Sequence, residues 1–176
     1  QLDPNQLQLG GKRVDITTIF ADIRGFTSFS EKHSPEKLVS ILNRYLARMA
    51  EAVLAQEGTI DKFMGDAIMA WYNAPIPQAD HTLRAVKTAL MIRESVEALY
   101  KELPAEAHLS FGAGIHFGDA VLGLIGTERR LEYTAIGDTV NTAKRIQENS
   151  AKNQIVISRD AYERVKDDVE VKPIVP

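Results

Sequence analysis

The sequence predicts an α+β fold: a mostly antiparallel sheet with helices packed on one of its faces. Three observations carry this reading. Strand-like and helix-like runs alternate along the chain. Two pairs of strands follow one another as hairpins, and one pair of helices is consecutive. A doubly wound parallel sheet would instead alternate strand and helix strictly. With 176 residues the chain can bury one sizeable core.

Residues 1–13 are polar, carry Pro4 and Gly10-Gly11, and read as a linker before a domain over 14–176. Residues 14–22 run without polar alternation, which marks a buried strand. Arg24-Gly25-Phe26-Thr27 then turns into a short helix. Ser34 as N-cap and Pro35 after it open the next helix. In it Leu38, Ile41, Leu42, Tyr45, Leu46, Met49 and Val53 recur at helical spacing, and Gly58 ends it. Residues 59–64 and 67–72 are strands around Gly65-Asp66, a hairpin signal. Pro75 and Pro77 break the chain. Asp80 caps a helix to about Leu103, with Leu83, Val86, Leu90, Val96 and Leu99 on its buried side. Residues 109–117 and 119–125 read as two strands flanking Gly118, and Thr127 to Arg130 as a polar loop. Gly137-Asp138 caps a helix through about Asn149. Gln154 to Ile157 is a short strand, Arg159 to Val165 a helix, and Val169 to Ile174 a last strand.

Composition narrows the function. Apolar content is 44% and charged content 26%, as in ordinary globular domains. The net charge of −3 offers no basic field for nucleic acid. The absence of cysteine excludes disulfides, thiolate metal sites and thiol nucleophiles. The run Val121-Leu122-Gly123-Leu124-Ile125 is far too short to span a membrane, so no membrane contact is expected. No signal-peptide pattern and no initiator Met are visible, and the expectation is a cytoplasmic module excised from a longer protein.

Two aspartates stand out. Asp22 closes the first strand, and Asp66 sits between the strands of the hairpin. Alone, each reads as a turn or capping residue. Two that interrupt neighbouring apolar strands point to a hard divalent cation, which often carries a nucleotide triphosphate. The amides after Asp22, entering a helix at Gly25, could cradle phosphate. Strand alternation puts Lys62, Met64 and Asp66 on one side, so Lys62 reads either as an exposed partner of Asp66 or as a donor to a ligand. Asn141 and Arg145, four apart on one helical face, read either as a solvated surface or as a grip on sugar and phosphate. His33, His81, His108 and His116 have no metal-like spacing.

Phe20-Ala21-Asp22-Ile23-Arg24-Gly25-Phe26-Thr27, Lys62-Phe63-Met64-Gly65-Asp66, Gly114-Ile115-His116-Phe117-Gly118 and Tyr133 to Arg145 together resemble the class III nucleotidyl cyclase catalytic domain. In flavour they are similar to the cyanobacterial-type, bicarbonate-responsive adenylyl cyclases. The resemblance spans residues 14 to about 158. It implies a ferredoxin-like, palm-type fold and conversion of ATP to 3′,5′-cyclic AMP and pyrophosphate. Asp22, Asp66 and the Ile23 carbonyl would bind two Mg²⁺ or Mn²⁺ ions, with Ca²⁺ as an alternative occupant of one position. Amides from about Arg24 through Gly25, Phe26 and Thr27 would hold the terminal phosphates. Lys62 and Thr134 would read adenine, Asn141 would orient the ribose, and Arg145 would stabilise the α-phosphate in the transition state. The family builds its sites between two chains, which implies a homodimer with two equivalent sites. Threonine at 134, where many relatives carry aspartate, goes with stimulation by bicarbonate. The family's late-strand lysine for terminal phosphates would fall beyond Pro176. Guanylyl cyclase activity, or a catalytically silent nucleotide-binding regulator, are the alternative readings.

Overall fold

The computed structural model describes residues 11–174. Its strands and helices run β1 (Lys12–Arg24), α1 (Phe26–Ser30), α2 (Pro35–Ala55), β2 (Thr59–Met64), β3 (Ala67–Tyr72), α3 (His81–Glu102), β4 (Ser110–Thr127), β5 (Arg130–Ile136), α4 (Asp138–Glu148), β6 (Gln154–Ile157) and α5 (Arg159–Val165). The strands lie in the order β2-β3-β1-β4-β5, with β6 also on β4. Among the described residues only the β4–β6 pairing is parallel. The first four strands with α2 and α3 form the ferredoxin-like arrangement expected.

β1 pairs with β4 along all thirteen of its residues, from Lys12↔Leu122 to Arg24↔Ser110. This ladder is the spine of the sheet. Side chains alternate strictly across it. Ile19, Ala21 and Ile23 join a large core with Ile41, Tyr45 and Met49 of α2, Ala89, Ile92 and Val96 of α3, and Ala161 of α5. Ile16 and Phe20 point the other way, into a smaller core with Trp71, Leu122, Ala135 and Ala143. The Trp71 and Tyr133 rings, from strands that are not neighbours in the sheet, stand 6.1 Å apart. The sheet therefore curls around this second core.

Several sequence expectations change. Helices cover both faces, not one: α4 packs on the face opposite α2 and α3, because Ala143 and Val140 belong to the second core. The two strands expected around Gly118 are one 18-residue strand. Gly118 is no turn; a Cβ there would lie 2.5 Å from Thr139 Oγ1. Residues 130–136 form β5, a strand that the sequence does not announce, and Arg130 of the expected loop is its first residue. Gly58 is kept small by the Tyr72 ring, 2.8 Å from its would-be Cβ, while Glu57 takes the left-handed turn at φ 59°. Leu90 is exposed, and α3 buries Ala85, Ala89 and Ile92 instead. Asp80 precedes α3, but its carboxylate accepts from Arg84 Nε at 2.7 Å and makes no cap bond. Gly137, not Asp138, holds the cap position of α4. Residues 169–174 form no strand. The linker expected over 1–13 falls on residues outside those described, except Gly11 and the first two residues of β1.

On the first face His81 is buried in a polar knot. One ring nitrogen lies 2.7 Å from Thr17 Oγ1, and Arg164 Nη2 lies 3.2 Å from the other. Arg164 also covers the Phe117 ring at 4.3 Å. Burial, and then the Arg164 charge, push the His81 pKa down from 6.5 to about 4. The folded ring is neutral, whereas the unfolded chain binds a proton near the ordinary value. Stability from this group is present above pH 6.5 and is lost as pH falls toward 4, by up to about 3 kcal/mol. Urea midpoints at pH 7 and pH 5 should therefore differ more in the wild type than in His81→Asn; equal differences would contradict the buried neutral ring.

On the second face α4 lies unusually close to β4. A Cβ on Gly114 would sit 2.4 Å from the Gln147 backbone nitrogen. Gly114→Ala should push the helix outward and cost about 1–3 kcal/mol. Thermal unfolding by circular dichroism should show a drop of several degrees, and an unchanged midpoint would refute the close contact.

Candidate active site

The two aspartates meet. Asp22 pairs with Ala67, the residue after Asp66, and with Gly112 across the sheet. The Ile23 N–H donates to the Asp66 carbonyl at 2.9 Å, extending the ladder to the hairpin turn. That turn holds Gly65 at φ 63° and Asp66 at negative φ, the pattern of a type II′ turn. Burial, and to a lesser degree the Asp22 charge, raise the Asp66 pKa above the ordinary carboxylate value; its own backbone N–H pulls the other way. Two carboxylates therefore share one end of the sheet. Among the described residues no cluster of three or more His, Cys, Asp or Glu side chains could hold a metal. A cation here would need backbone oxygen as well, and the Ile23 carbonyl is the candidate.

The motif points to the Arg24 amide alone, yet the Arg24 side chain is a brace. Nε donates to Asp22 Oδ1 at 3.2 Å. Nη2 donates to the Gln147 carbonyl and to Ser150 Oγ, both at 2.8 Å, and Nη1 donates to the Ser150 carbonyl. The guanidinium thus caps the C-terminal end of α4, where the helix dipole favours positive charge. It ties that end to Asp22. Gly25 is left-handed at φ 88° and starts α1, whose first amides have no intrahelical acceptor. Gly25 and Thr27 are exposed; Phe26 leans on the core.

The second group lies on β2 and β5. The ladder between β2 and β3 slips between Ile60 and Lys62, so Asp61 is the extra residue of a bulge. Its side chain is only 3% exposed. It accepts the Thr134 hydroxyl hydrogen at 2.6 Å, and Lys62 Nζ stands 3.9 Å away. Burial raises the Asp61 pKa, while the Thr134 bond and the Lys62 charge act against it. Lys62 thus has Asp61 as its carboxylate neighbour in place of the Asp66 partner expected from alternation. Strict alternation hides Asp61 from sequence reasoning; its one signal was an acid directly beside Lys62 in an otherwise apolar run.

Asn141 and Arg145 are exposed on α4, while Thr139, Ala143 and Gln147 of the same helix are buried. The helix therefore turns Asn141 and Arg145 away from its own sheet. Arg145 Nη2 donates only to Thr142 Oγ1, at 3.2 Å, among the described residues. His116 has a structural partner, Ser158 Oγ at 2.7 Å. A cavity of about 340 Å³ at the start of α4, between Arg13, Asp119, Val121 and Gly137, contains none of the predicted site residues. The described residues include no helix long and apolar enough to cross a membrane.

The family described as "Adenylate and Guanylate cyclase catalytic domain" matches residues 11–174. Adenylate cyclase 1 of Rhizobium meliloti (strain 1021) is 37% identical over 166 residues, which is 92% of this chain and 25% of that protein. The chain thus spans a quarter of that relative. The crystal structure of the adenylyl cyclase CyaB from P. aeruginosa superposes with a TM-score of 0.86 at 34% identity, covering 92% of this chain and 85% of that one. The guanylyl cyclase Cya2 superposes at 0.87 with 37% identity, covering 96% and 88%. An adenylyl and a guanylyl cyclase are thus equally similar, and the choice of nucleotide must be argued from side chains. By this match along nearly its whole length, the chain belongs to the adenylate and guanylate cyclase catalytic-domain family, the class III nucleotidyl cyclases.

Proposed function

We propose that this domain converts ATP to 3′,5′-cyclic AMP and pyrophosphate, at two equivalent sites formed between two copies of the chain. The observation that carries the choice of ATP is the meeting of Lys62 and Thr134 at Asp61. A threonine oxygen can accept from the amino group of adenine, and a lysine donates to a ring nitrogen.

Asp22, Asp66 and the Ile23 carbonyl are hard oxygen donors, the set that suits Mg²⁺ or Mn²⁺, with Ca²⁺ an alternative at one position. Held by these oxygens, such ions would supply Lewis acidity toward the α-phosphate and would offset charge on the pyrophosphate. The chain's own groups do the rest. Amides of Arg24 to Thr27 hold the terminal phosphates. Asn141 orients the ribose. Arg145 gains its strongest contact as charge builds at the α-phosphate, so it favours the transition state over bound ATP.

The outward-facing Asn141 and Arg145 support assembly between chains, since a partner across a two-fold axis could receive them. Lys62 and Asp66, four residues apart, then serve different sites. Thr134 in place of aspartate further supports a site responsive to bicarbonate, and the ATP substrate supports action on the cytoplasmic side.

The test is purified protein with Mn²⁺ or Mg²⁺ and either ATP or GTP, with and without bicarbonate at constant pH. The expected product is cyclic AMP, raised by bicarbonate. Preferential cyclic GMP would move the domain to guanylyl cyclase chemistry, and no product from a folded dimer would make it a silent regulator. Asp66→Asn should lower kcat at least about 100-fold, the scale of losing one preorganised electrostatic contact. Arg145→Ala should lower kcat about as far while KM for ATP moves little; an effect confined to KM would contradict its transition-state role.

A further inference from the structure

We propose that Asp61 sets which base this site accepts, by fixing the direction of the Thr134 hydroxyl. The inference rests on the ATP reading above and deepens it. Asp61 touches no nucleotide in this account; it is a positioning residue that acts through Thr134.

The geometry is specific. The Asp61 side chain is 3% exposed and the whole of Thr134 only 7%. Thr134 donates its one hydroxyl hydrogen to Asp61 Oδ2 at 2.6 Å. An ionised carboxylate accepts and cannot donate, so the hydrogen is committed. Lys62 Nζ, 3.9 Å from the same oxygen, favours that ionised form. The Thr134 oxygen is left with lone pairs alone. It can receive a hydrogen bond and cannot offer one.

The two purine bases differ at just this point. Adenine carries an amino group at position 6, which donates. Guanine carries a carbonyl there, which only accepts. Guanine in this site would set oxygen against oxygen with no hydrogen between them, an unpaired polar contact that lowers affinity roughly tenfold or more. A threonine free to rotate would not discriminate, because it could donate to guanine as readily as accept from adenine. The selectivity therefore lies in the pair, with Asp61 supplying the direction. The bulge between Ile60 and Lys62 is what makes this possible, because it lets consecutive residues serve one recognition group.

The experiment compares kcat/KM for ATP and GTP, with Mn²⁺, in wild type, Asp61→Asn, Thr134→Val and the double variant. Asparagine has the same shape, and its amide can donate to Thr134 and release the hydroxyl hydrogen toward the ligand. The ATP-over-GTP ratio should fall at least tenfold in Asp61→Asn, mainly because GTP turnover rises. In the Thr134→Val background the same change should leave the ratio unaltered. If Asp61→Asn does not fold, Asp61→Ser, which can both accept and donate, is read the same way. A folded variant whose ratio stays within twofold of wild type overturns the proposal. So does an equal fall in both backgrounds, which would mean that Asp61 does not act through Thr134. Wild type that prefers GTP would remove the ATP reading itself, whereas an ATP preference that survives both Asp61 variants removes only the role of Asp61.

Discussion

The close seating of α4 on the glycine face of β4 is the constraint on which the arrangement depends. Gly112, Gly114 and Gly118 lie on one side of the strand. Side chains there would strike Arg24 and Ser150, the Gln147 backbone, and Thr139 respectively. With those positions bare, the helix reaches backbone contact, and Thr139 Oγ1 donates to the Asp119 carbonyl at 2.6 Å. Depth then fixes rotation. Thr139, Ala143 and Gln147 must face the strand, so the residues half a turn away must face out, and these include Asn141 and Arg145. A helix held by a wider apolar layer could roll; one resting on glycines has little freedom to do so.

Charge is distributed by the same frame. Three aspartates matter, and each has a different environment. Asp22 keeps a cation, Arg24, whose two terminal nitrogens both donate to the end of α4. Asp66 has no comparable partner among the described residues, and burial with the neighbouring negative charge raises its pKa. Asp61 is the most deeply set and has a hydroxyl and an ammonium close by. The sheet end with Asp22 and Asp66 thus holds two carboxylates against one cation. A surplus of that sign, partly shielded from water, costs stability unless another positive charge arrives. By contrast, the exposed ion pairs of the surface, such as Lys37–Glu106, are screened and contribute little.

The sequence was legible where one element obeys one period. The α2 spacing, its Ser34-Pro35 start and the Gly65-Asp66 hairpin all stand as read, because local signals there agree with the tertiary packing. It was less legible where glycine means close approach and not a turn. Gly118 suggests a break in the strand but is simply the bare side of β4 against α4. β5 escaped notice because Arg130-Leu131-Glu132 is exposed and polar at its start, so no continuous apolar run announces it. Asp22, Asp66, Lys62 and Thr134 are candidates that the motifs single out, whereas no motif points to the Arg24 brace or to Asp61. Both act through pairings more than seventy residues distant in sequence, Arg24 with Gln147 and Ser150, Asp61 with Thr134, and no local pattern encodes such contacts.

The candidate site residues on the sheet gather where regular structure is interrupted. Gly25 is left-handed, Gly65 turns the hairpin with positive φ, and β2 bulges at Asp61. Each interruption releases backbone groups from the ladder or re-aims a side chain, at a local cost that the flanking structure must offset. The offset is visible in the thirteen-residue pairing of β1 with β4 and in two separate cores that clamp that ladder from both faces. Asp22 shows the division of labour most clearly. Its backbone sits within the regular ladder, held by Ala67 on one side and Gly112 on the other, while its carboxylate stands at the edge of the irregular turn. The regular pairing thus fixes where the Asp22 backbone lies, while the candidate site borders backbone that is free of the ladder.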